Sequence, residues 1–227
     1  LDLPHSAQGF EKNAKDLSYN YSCNLYQCKV CNHVQLDVKP VSYYKDVIRS
    51  VGISDEMKNF RIDQFSSIKN KYFNCESEIK TLEVGAGNGE YSKILKKVFK
   101  NSFSTEKNVA NLKLNIGKGI NCINTHPDES DFFDKLINFG PFDLICCFSY
   151  LEHLPNPRKT LSLFRSLLSE NGYLLIELPN SEMIFRKGLV NEIIPDHLSY
   201  FTINTATTMM SITGFEVINS STIWNDY

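Results

Sequence analysis

The sequence contains no long apolar run and no strong excess of one charge. No apolar stretch approaches the roughly 18–20 residues that span a bilayer, so we expect no membrane-spanning helix. The 227 residues carry 24 basic and 26 acidic side chains, a formal net charge of -2, so nucleic acid has no electrostatic advantage as a partner. The sequence does not start with a signal peptide, but because its first residue is Leu1 and not Met, we expect that the natural N-terminus is missing. Seven cysteines, an odd number, favour reduced thiols and a cytoplasmic location over a disulfide framework.

The run TLEVGAGNGE, residues 81–90, predicts a buried strand that leads into a glycine-rich turn and then a helix. Its three glycines, Gly85, Gly87 and Gly89, permit a tight turn and a close approach of a ligand to the backbone. The spacing is GxGxG, whereas dinucleotide-binding loops have GxGxxG. Glu83 lies two positions before the first glycine, and a carboxylate there suits a cationic amino group better than a pyrophosphate.

This pattern resembles motif I of the class I S-adenosylmethionine methyltransferases, in which the acid helps to hold the methionine part of the cofactor. The resemblance implies a second acid for the ribose hydroxyls at the end of the next strand, where Glu106 stands. It implies S-adenosylmethionine as cofactor and S-adenosylhomocysteine as product. The cofactor-binding residues implied by the resemblance are Glu83, Gly85, Ala86, Gly87, Asn88, Gly89, Glu106, Asp128, Phe148 and Ser149, with Asp128 at the adenine edge.

Strands and helices alternate from Lys80 onward, which indicates a parallel sheet. We expect an α/β fold with a doubly wound, mostly parallel, Rossmann-like sheet of the seven-stranded type. The expected strands are 80–84, 102–106, 120–124, 142–148, 173–178 and 215–221. The last strand of such a sheet has no clear counterpart before Tyr227, so we expect that the C-terminus is incomplete. The expected domains are a small N-terminal module (1–50), a connecting or lid helix (51–75) and a cofactor-binding domain (76–227).

The N-terminal run LYQCKVCNHVQL, residues 25–36, places a CxxC pair between two short β-like segments. Cys28 and Cys31 are suited to supply two thiolates to a tetrahedral zinc ion, and the alternative is a reduced pair in a β-hairpin. The run resembles the N-terminal module of the sugar C-methyltransferases and their relatives, in which an upstream CxxC completes a four-cysteine zinc site. That first pair is absent here, so we expect either that it was lost or that it lies upstream of Leu1. Tyr43 and Tyr44 either reach the active site from this module and bind substrate or pack in the core.

Two later runs resemble motifs of the same methyltransferases. The run LEHLPNP, residues 151–157, resembles the segment after the fourth strand, which in that family lines the cofactor and faces the acceptor. The run DHLSYF, residues 196–201, resembles the family's acidic-His segment after the fifth strand. Because methyl transfer from a sulfonium requires alignment of the acceptor and removal of one proton, a histidine is a suitable base.

His197 is our first candidate for that base, with Asp196 to orient it and His153 as the second candidate. Structural or acceptor-binding roles for these histidines stay open. Tyr150 and Tyr200 are further candidates for substrate binding. The sugar C-methyltransferases have a tyrosine at the position of Ile194, and this departure favours transfer to oxygen or nitrogen over carbon.

The sequence therefore predicts an S-adenosylmethionine-dependent methyltransferase that acts on a small polar acceptor. The resemblance suggests a sugar- or nucleotide-linked precursor of a bacterial surface polysaccharide. One alternative is an NAD-binding oxidoreductase, which would require GxGxxG and a catalytic Tyr/Lys or His on the far side of the sheet. The other is a catalytically degenerate protein that keeps the cofactor fold for binding or assembly. Binding of S-adenosylhomocysteine but not of NAD would distinguish the enzyme from both.

Overall fold

The structure is a computed structural model that describes residues 2–3, 21–41, 44–45, 52–74 and 78–224. Packing divides the chain into two compact units. Unit 1 consists of Leu1–Tyr44, Ser149–Arg165 and Glu177–Tyr227, and unit 2 consists of Lys45–Phe148 and Ser166–Ile176. The predicted domain boundaries near residues 50 and 75 rest on the order of motifs along the chain, whereas these two units rest on packing. The predicted boundaries therefore stay a prediction.

The described residues form ten strands and seven α-helices. The strands are β1 (Asp2–Leu3), β2 (Tyr21–Ser22), β3 (Leu25–Gln27), β4 (Val34–Leu36), β5 (Lys80–Val84), β6 (Asn101–Thr105), β7 (Asn121–Ile123), β8 (Phe142–Phe148), β9 (Leu168–Glu177) and β10 (Ser199–Tyr200). The helices are α1 (Asp55–Tyr72), α2 (Glu90–Val98), α3 (Val109–Gly117), α4 (Phe132–Ile137), α5 (Pro157–Leu167), α6 (Ser181–Lys187) and α7 (Ile203–Ile212).

A five-stranded sheet with the order β7-β6-β5-β8-β9 forms the centre of unit 2. The β5–β6, β5–β8 and β6–β7 pairs are parallel. In this register Glu83 lies opposite Ser104 on one side and Cys146 on the other. The carboxyl ends of β5, β6 and β8 therefore meet at one edge, where ligands bind in open α/β sheets.

Helix α1 begins where its sequence predicts. The side chain of Ser54 caps it by accepting a hydrogen bond from the backbone N–H of Met57 at 3.1 Å, and two acids occupy its first turn. Phe65 on this helix is fully buried and packs into an apolar cluster with Leu95, Phe99 and Leu144. Helix α1 is thus fixed to the core of unit 2 by an aromatic anchor rather than by a continuous apolar face.

In unit 1, β3 and β4 form an antiparallel hairpin, and β10 pairs with β4 from the other side. Cys23, Leu36 and Tyr200 form the small core beneath this three-stranded sheet. The backbone N–H of Leu36 also donates to the carbonyl of Leu198 at 3.0 Å. The N-terminal module is therefore joined by backbone pairing to the segment that contains His197.

The predicted fold class is confirmed, because the order of the five strands is that of a Rossmann-like sheet. The prediction of a sixth strand over 215–221 is wrong: these residues are described, form no strand and are mostly exposed. A β-branched composition does not suffice for a strand when no neighbouring strand supplies hydrogen-bond partners. Within the described ranges, no helix combines the length and the apolar character needed to cross a bilayer.

Candidate cofactor and acceptor sites

The loop after β5 has the backbone conformation that its glycines permit. Gly85, Gly87 and Gly89 have φ angles of 81°, 52° and 77°, which side-chain-bearing residues rarely adopt. At Gly89, which caps α2, a Cβ atom would lie 2.0 Å from the amide oxygen of Asn115. The loop thus requires glycine both for its turn and for its packing.

Strand β6 and helix α3 hold this loop in place. The backbone N–H of Ala86 donates to the carbonyl of Thr105 at 2.9 Å. The amide of Asn115 donates to the carbonyl of Gly87 at 2.9 Å, and the ammonium of Lys118 donates to the carbonyl of Asn88 at 2.7 Å. The conformation of the loop is therefore stabilised by hydrogen bonds to neighbouring elements as well as by its own glycines.

Glu106 lies directly after β6, as predicted, and is 7% exposed. One carboxylate oxygen accepts from the N–H of Gly87 at 2.8 Å, and the other accepts from the N–H of Asn108 at 2.7 Å. Each oxygen of an ionised carboxylate can accept more than one hydrogen bond. Glu106 can therefore orient the glycine loop and still accept the hydroxyls of a ribose.

Glu83 is 3% exposed near the carboxyl end of β5 and accepts a hydrogen bond from the hydroxyl of Ser92 on α2. Burial raises the pKa of Glu83 to about 8, against the opposing influence of Ser92 and of the Arg61 guanidinium. Arg61 is itself fully buried, with its guanidinium carbon 4.3 Å from the ring centre of Tyr91 and 4.0 Å from that of Phe148. A cationic ligand beside Glu83 would stabilise the ionised carboxylate.

Asp128 and Phe148, two other predicted cofactor residues, lie in unit 2. The N–H of Asp128 donates to Nδ1 of His126 at 3.2 Å, and Phe148 packs against Arg61. His126 itself is 1% exposed, and desolvation lowers its pKa to about 4. Ser149 lies in unit 1, with a φ of 44°, and its N–H donates to the carbonyl of Glu177 at 2.9 Å.

These features of unit 2 fit S-adenosylmethionine. The left-handed glycines leave the loop open to close approach of a ligand, one buried acid matches the ammonium of the methionine part, and a second acid at the next strand end matches the ribose. Tyr91 and Phe148 add apolar surface at the same strand edge. The residue types required by the cofactor are thus present in the expected order along the sheet.

Unit 1 contains a second polar site, composed of Glu152, His153 and His197. One ligand-type atom from each of the three lies within 4.8 Å of the other two. Glu152 and His153 lie on a 3-10 turn, Leu151–His153, and His197 precedes β10. The backbone N–H of Leu198 donates to the carbonyl of Glu152 at 2.9 Å, which joins the two segments.

Hydrogen bonding fixes the ring of His153. Its Nδ1 lies 2.7 Å from the backbone carbonyl of Asp196, and since a carbonyl only accepts, this nitrogen carries the proton. The lone pair is therefore on Nε2, which lies 3.7 Å from a carboxylate oxygen of Glu152. The ring of His197 meets that of His153 edge to face, with centroids 4.7 Å apart.

Burial sets the protonation of this cluster. Desolvation, assisted by His153, lowers the pKa of His197 to about 3, and desolvation also lowers the pKa of His153. Burial raises the pKa of Glu152 to about 8, and the carboxylates of Asp196 and Glu177 act in the same direction. The cluster thus offers two uncharged imidazoles at neutral pH.

Asp196 contacts the cluster through its backbone carbonyl and not through a hydrogen bond that its Oδ1 accepts. That atom is buried and has no hydrogen-bond partner among the described residues, whereas the Asp196 carbonyl holds His153. The predicted orientation of His197 by the Asp196 carboxylate stays a prediction that this geometry does not favour.

The four predicted substrate tyrosines have different surroundings. Tyr150 and Tyr200 are buried, and the hydroxyl of Tyr200 bonds the backbone of Ile194, accepting from its N–H at 3.1 Å. Tyr44 is half-buried, and Tyr43 lies outside the described residues. The substrate role of Tyr200 therefore stays a prediction that its place in the core does not favour.

The CxxC pair lies on the β3–β4 turn. The N–H of Cys28 donates to the carbonyl of His33 at 2.8 Å, and both Cys28 and Cys31 are free thiols. Backbone N–H groups of Cys31 and Val30 lower the pKa of the Cys28 thiol. This turn is suited to hold thiolates, and zinc binding by the pair stays a prediction.

Sequence reasoning missed Glu152 and Arg61. Glu152 stands inside the LEHLPNP run and was available as a candidate, since a carboxylate beside a histidine is a common ligand pair. Arg61 gave no comparable signal, because a single arginine on an otherwise polar helix is typical of a solvated face.

The chain resembles known methyltransferases in sequence and fold. The model of a sequence family described as a methyltransferase domain matches residues 57–220. An S-adenosylmethionine-dependent methyltransferase from Archaeoglobus fulgidus is 22% identical, with a TM-score of 0.53 over 70% of this chain and 69% of that chain. An S-adenosylmethionine-dependent methyltransferase from Thermotoga maritima, described as a possible histamine N-methyltransferase, is 18% identical, with a TM-score of 0.52 over 71% of this chain and 74% of that chain.

A third solved structure contains the reaction product. The plantazolicin methyltransferase BamL, in complex with a triazolic desmethylPZN analog and S-adenosylhomocysteine, is 15% identical, with a TM-score of 0.54 over 70% of this chain and 60% of that chain. A search of curated protein sequences finds no match.

The parallel sheet, the glycine loop and the two buried acids define an S-adenosylmethionine-binding protein of the class I methyltransferase type. Because the family match spans residues 57–220, well over half of the sequence, the chain belongs to the methyltransferase domain family. It is an S-adenosylmethionine-dependent methyltransferase. The finer resemblance to the sugar C-methyltransferases and their zinc module stays a prediction.

Proposed function

We propose that this methyltransferase acts on an oxygen or nitrogen atom of a small polar acceptor, a sugar- or nucleotide-linked precursor of a bacterial surface polysaccharide. The observation that carries the choice of atom is a pair of uncharged histidines in unit 1, the buried His153 and the half-buried His197. The resemblance of the N-terminal run to the sugar C-methyltransferases supports the acceptor class, and the balanced net charge gives no reason to prefer a nucleic acid.

In unit 2 the protein's task is binding and orientation. Bound S-adenosylmethionine supplies an electrophilic methyl group on a sulfonium. Glu83 holds the ammonium of the methionine part, Glu106 accepts from the ribose hydroxyls, and the glycine loop allows the backbone to approach closely. These groups align the methyl group for in-line attack, which is the main requirement of this chemistry.

His197 accepts the acceptor proton in this proposal, with His153 as the second candidate. A pKa of about 3 leaves His197 unprotonated at neutral pH, but it also makes His197 a weak base. A weak base suffices for an oxygen or nitrogen acceptor, because the atom becomes positively charged and strongly acidic as the methyl group is transferred. A carbon acid would need a much stronger base, and Ile194 stands where the C-methyltransferases have a tyrosine.

The test measures transfer of labelled methyl groups to a panel of nucleotide sugars and free sugars, with nucleic acid and NAD-dependent turnover as comparisons. His197→Asn should lower product formation about 10²- to 10⁴-fold, the usual contribution of a general base. The same variant should bind S-adenosylhomocysteine as the wild type does, because its effect is confined to the acceptor side.

His33→Asn is the matched control, since His33 is a buried histidine of unit 1 whose ring packs on Phe201 instead of joining the cluster. It should retain turnover if the protein stays folded. Equal losses in both variants would indicate general damage to unit 1, and full activity of His197→Asn would exclude the proposed base. Transfer to carbon would refute the choice of acceptor atom.

A further inference from the structure

The carboxylate of Glu152 is buried without the partner that such a group requires. The residue is 1% exposed, and neither carboxylate oxygen has a hydrogen-bond partner among the described residues. The charged groups that act on it, Asp196 and Glu177, are also acidic. A buried carboxylate is stable when it is paired with a cation, coordinates a metal or is neutralised. Within the described ranges, the charged groups that act on Glu152 include no cation.

The neighbouring histidines supply what a metal ion would need. The carbonyl of Asp196 takes the Nδ1 proton of His153 and thereby directs the Nε2 lone pair to the cluster. This arrangement, in which a backbone carbonyl holds one ring nitrogen and leaves the other as a ligand, is the usual outer shell of a metal-binding histidine. His197 offers a second neutral imidazole beside it, with ring centroids 4.7 Å apart.

We propose that Glu152, His153 and His197 bind one first-row divalent cation of the zinc type. Two imidazole nitrogens and one carboxylate oxygen form a donor set that suits such ions, whereas calcium and magnesium prefer oxygen alone. Ligands at tetrahedral positions around zinc are about 3.3 Å apart for metal–ligand distances near 2.05 Å. The distance of 3.7 Å between His153 and Glu152 is close to this value. Because the ligand atoms all lie within 4.8 Å of one another, binding requires no pair to move closer by more than about 1.5 Å.

Three protein ligands leave a coordination position open for water or for an oxygen of the acceptor. A cation at this position would lower the pKa of a bound hydroxyl. This catalytic use rests on the proposed function, whereas the binding itself does not. A ring nitrogen that binds the cation cannot accept a proton, so His197 acts as the base only in the metal-free protein.

The experiment is a titration of the metal-stripped protein with Co²⁺, followed by its visible ligand-field absorption, and then displacement by Zn²⁺. It is done in a Cys28→Ser/Cys31→Ser background, so that thiolate binding at the hairpin cannot contribute. We expect one Co²⁺ per chain, with bands typical of a nitrogen and oxygen donor set. Glu152→Gln and His197→Ala should each weaken binding about 100-fold or more, because loss of a ligand exceeds the 10- to 100-fold effect of outer-shell changes.

Glu182→Gln is the matched control, because Glu182 is an exposed acid of α6 in the same unit, and it should leave Co²⁺ binding unchanged. Should His197→Ala fail to fold, the nearly isosteric Glu152→Gln keeps the test decisive. Absence of Co²⁺ binding in the folded cysteine-free protein, or binding unaffected by Glu152→Gln, would overturn the proposal. Calorimetry with S-adenosylhomocysteine on the same samples separates the outcomes: retained binding alongside absent Co²⁺ refutes the metal site and leaves the methyltransferase assignment intact.

Discussion

The affinity of the protein for S-adenosylhomocysteine should rise with pH, and the titration of Glu83 should set that dependence. The carboxylate is buried, and desolvation raises its pKa to about 8. The ionised carboxylate of Glu83 stabilises binding of the ligand ammonium, whereas the neutral acid does not. Binding must therefore remove the proton that Glu83 carries in the free protein at neutral pH.

The size of the effect follows from the pKa. One unit below it, at pH 7, about one molecule in ten is ionised, and at pH 6 about one in a hundred. The ligand ammonium stays protonated over this range, so the association constant should increase about tenfold between pH 6 and pH 7, equivalent to about 1.4 kcal/mol. Glu83→Gln should bind more weakly at pH 7 and should lose this pH dependence.

The stability of the free protein should change in the opposite direction. The pKa of Glu83 in the folded state lies above the ordinary value of 4.5. Its contribution to the free energy of unfolding is therefore fully present below pH 4.5 and is lost as the pH rises towards 8. The increase in Tm caused by the ligand should therefore grow with pH in the wild type and not in Glu83→Gln.

Isothermal titration calorimetry at pH 6, 6.5 and 7 tests this reasoning, with each titration repeated in two buffers of different ionisation enthalpy. A difference in heat between buffers should reveal close to one proton released per ligand bound. An affinity that is flat in the wild type, or equally steep in Glu83→Gln, would show that Glu83 does not neutralise the ligand ammonium.

Two further substitutions test the cofactor loop. Glu106→Ala should weaken S-adenosylhomocysteine binding about 100-fold in calorimetry, because two hydrogen bonds to a charged acceptor, at about 1.5–3 kcal/mol each, are replaced in part by hydrogen bonds to water. Glu106→Gln keeps the shape of the side chain and should lose less affinity. Affinities equal to that of the wild type in both variants would contradict a contact with the ribose. Gly89→Ala should lower Tm by several °C, since both the φ of 77° and a contact of 2.0 Å oppose a Cβ atom. Gly119→Ala, with φ of 75° and open space around it, is the control for backbone strain alone and should lose less stability.

The parts of the fold that sequence predicted depend on local chemistry. The Ser54 cap, the buried run of β8 and the glycine loop each have a signature within a few adjacent residues, and all three are present in the structure. The expected strand over 215–221 had the same local signature but no partner strand, so local composition misled there. Local sequence signals thus predict a strand well only when a neighbouring strand is present to form hydrogen bonds with it.

The candidate site was predicted only in part, because its decisive features are long-range. The pairing of β10 with β4 brings together segments far apart in the chain, and no pattern in either segment indicates it. The buried carboxylate of Glu152 became informative only when its surroundings were known, since the same residue on an exposed loop would be ordinary. Arg61 is a similar case, because only tertiary packing places it between two aromatic rings.

The backbone of one residue connects the N-terminal hairpin to the polar cluster of unit 1. The N–H of Leu198 donates to the carbonyl of Glu152, and the carbonyl of Leu198 accepts from the N–H of Leu36 on β4. The residue before it is His197, so the hairpin and the cluster cannot move independently without breaking one of these bonds. Tyr200 reinforces this connection, because it packs with Cys23 and Leu36 while its hydroxyl holds Ile194. The hairpin therefore positions the segment that contains His197 in unit 1, whereas β6 and α3 position the glycine loop in unit 2. The proposed function assigns the acceptor to the first of these and the cofactor to the second.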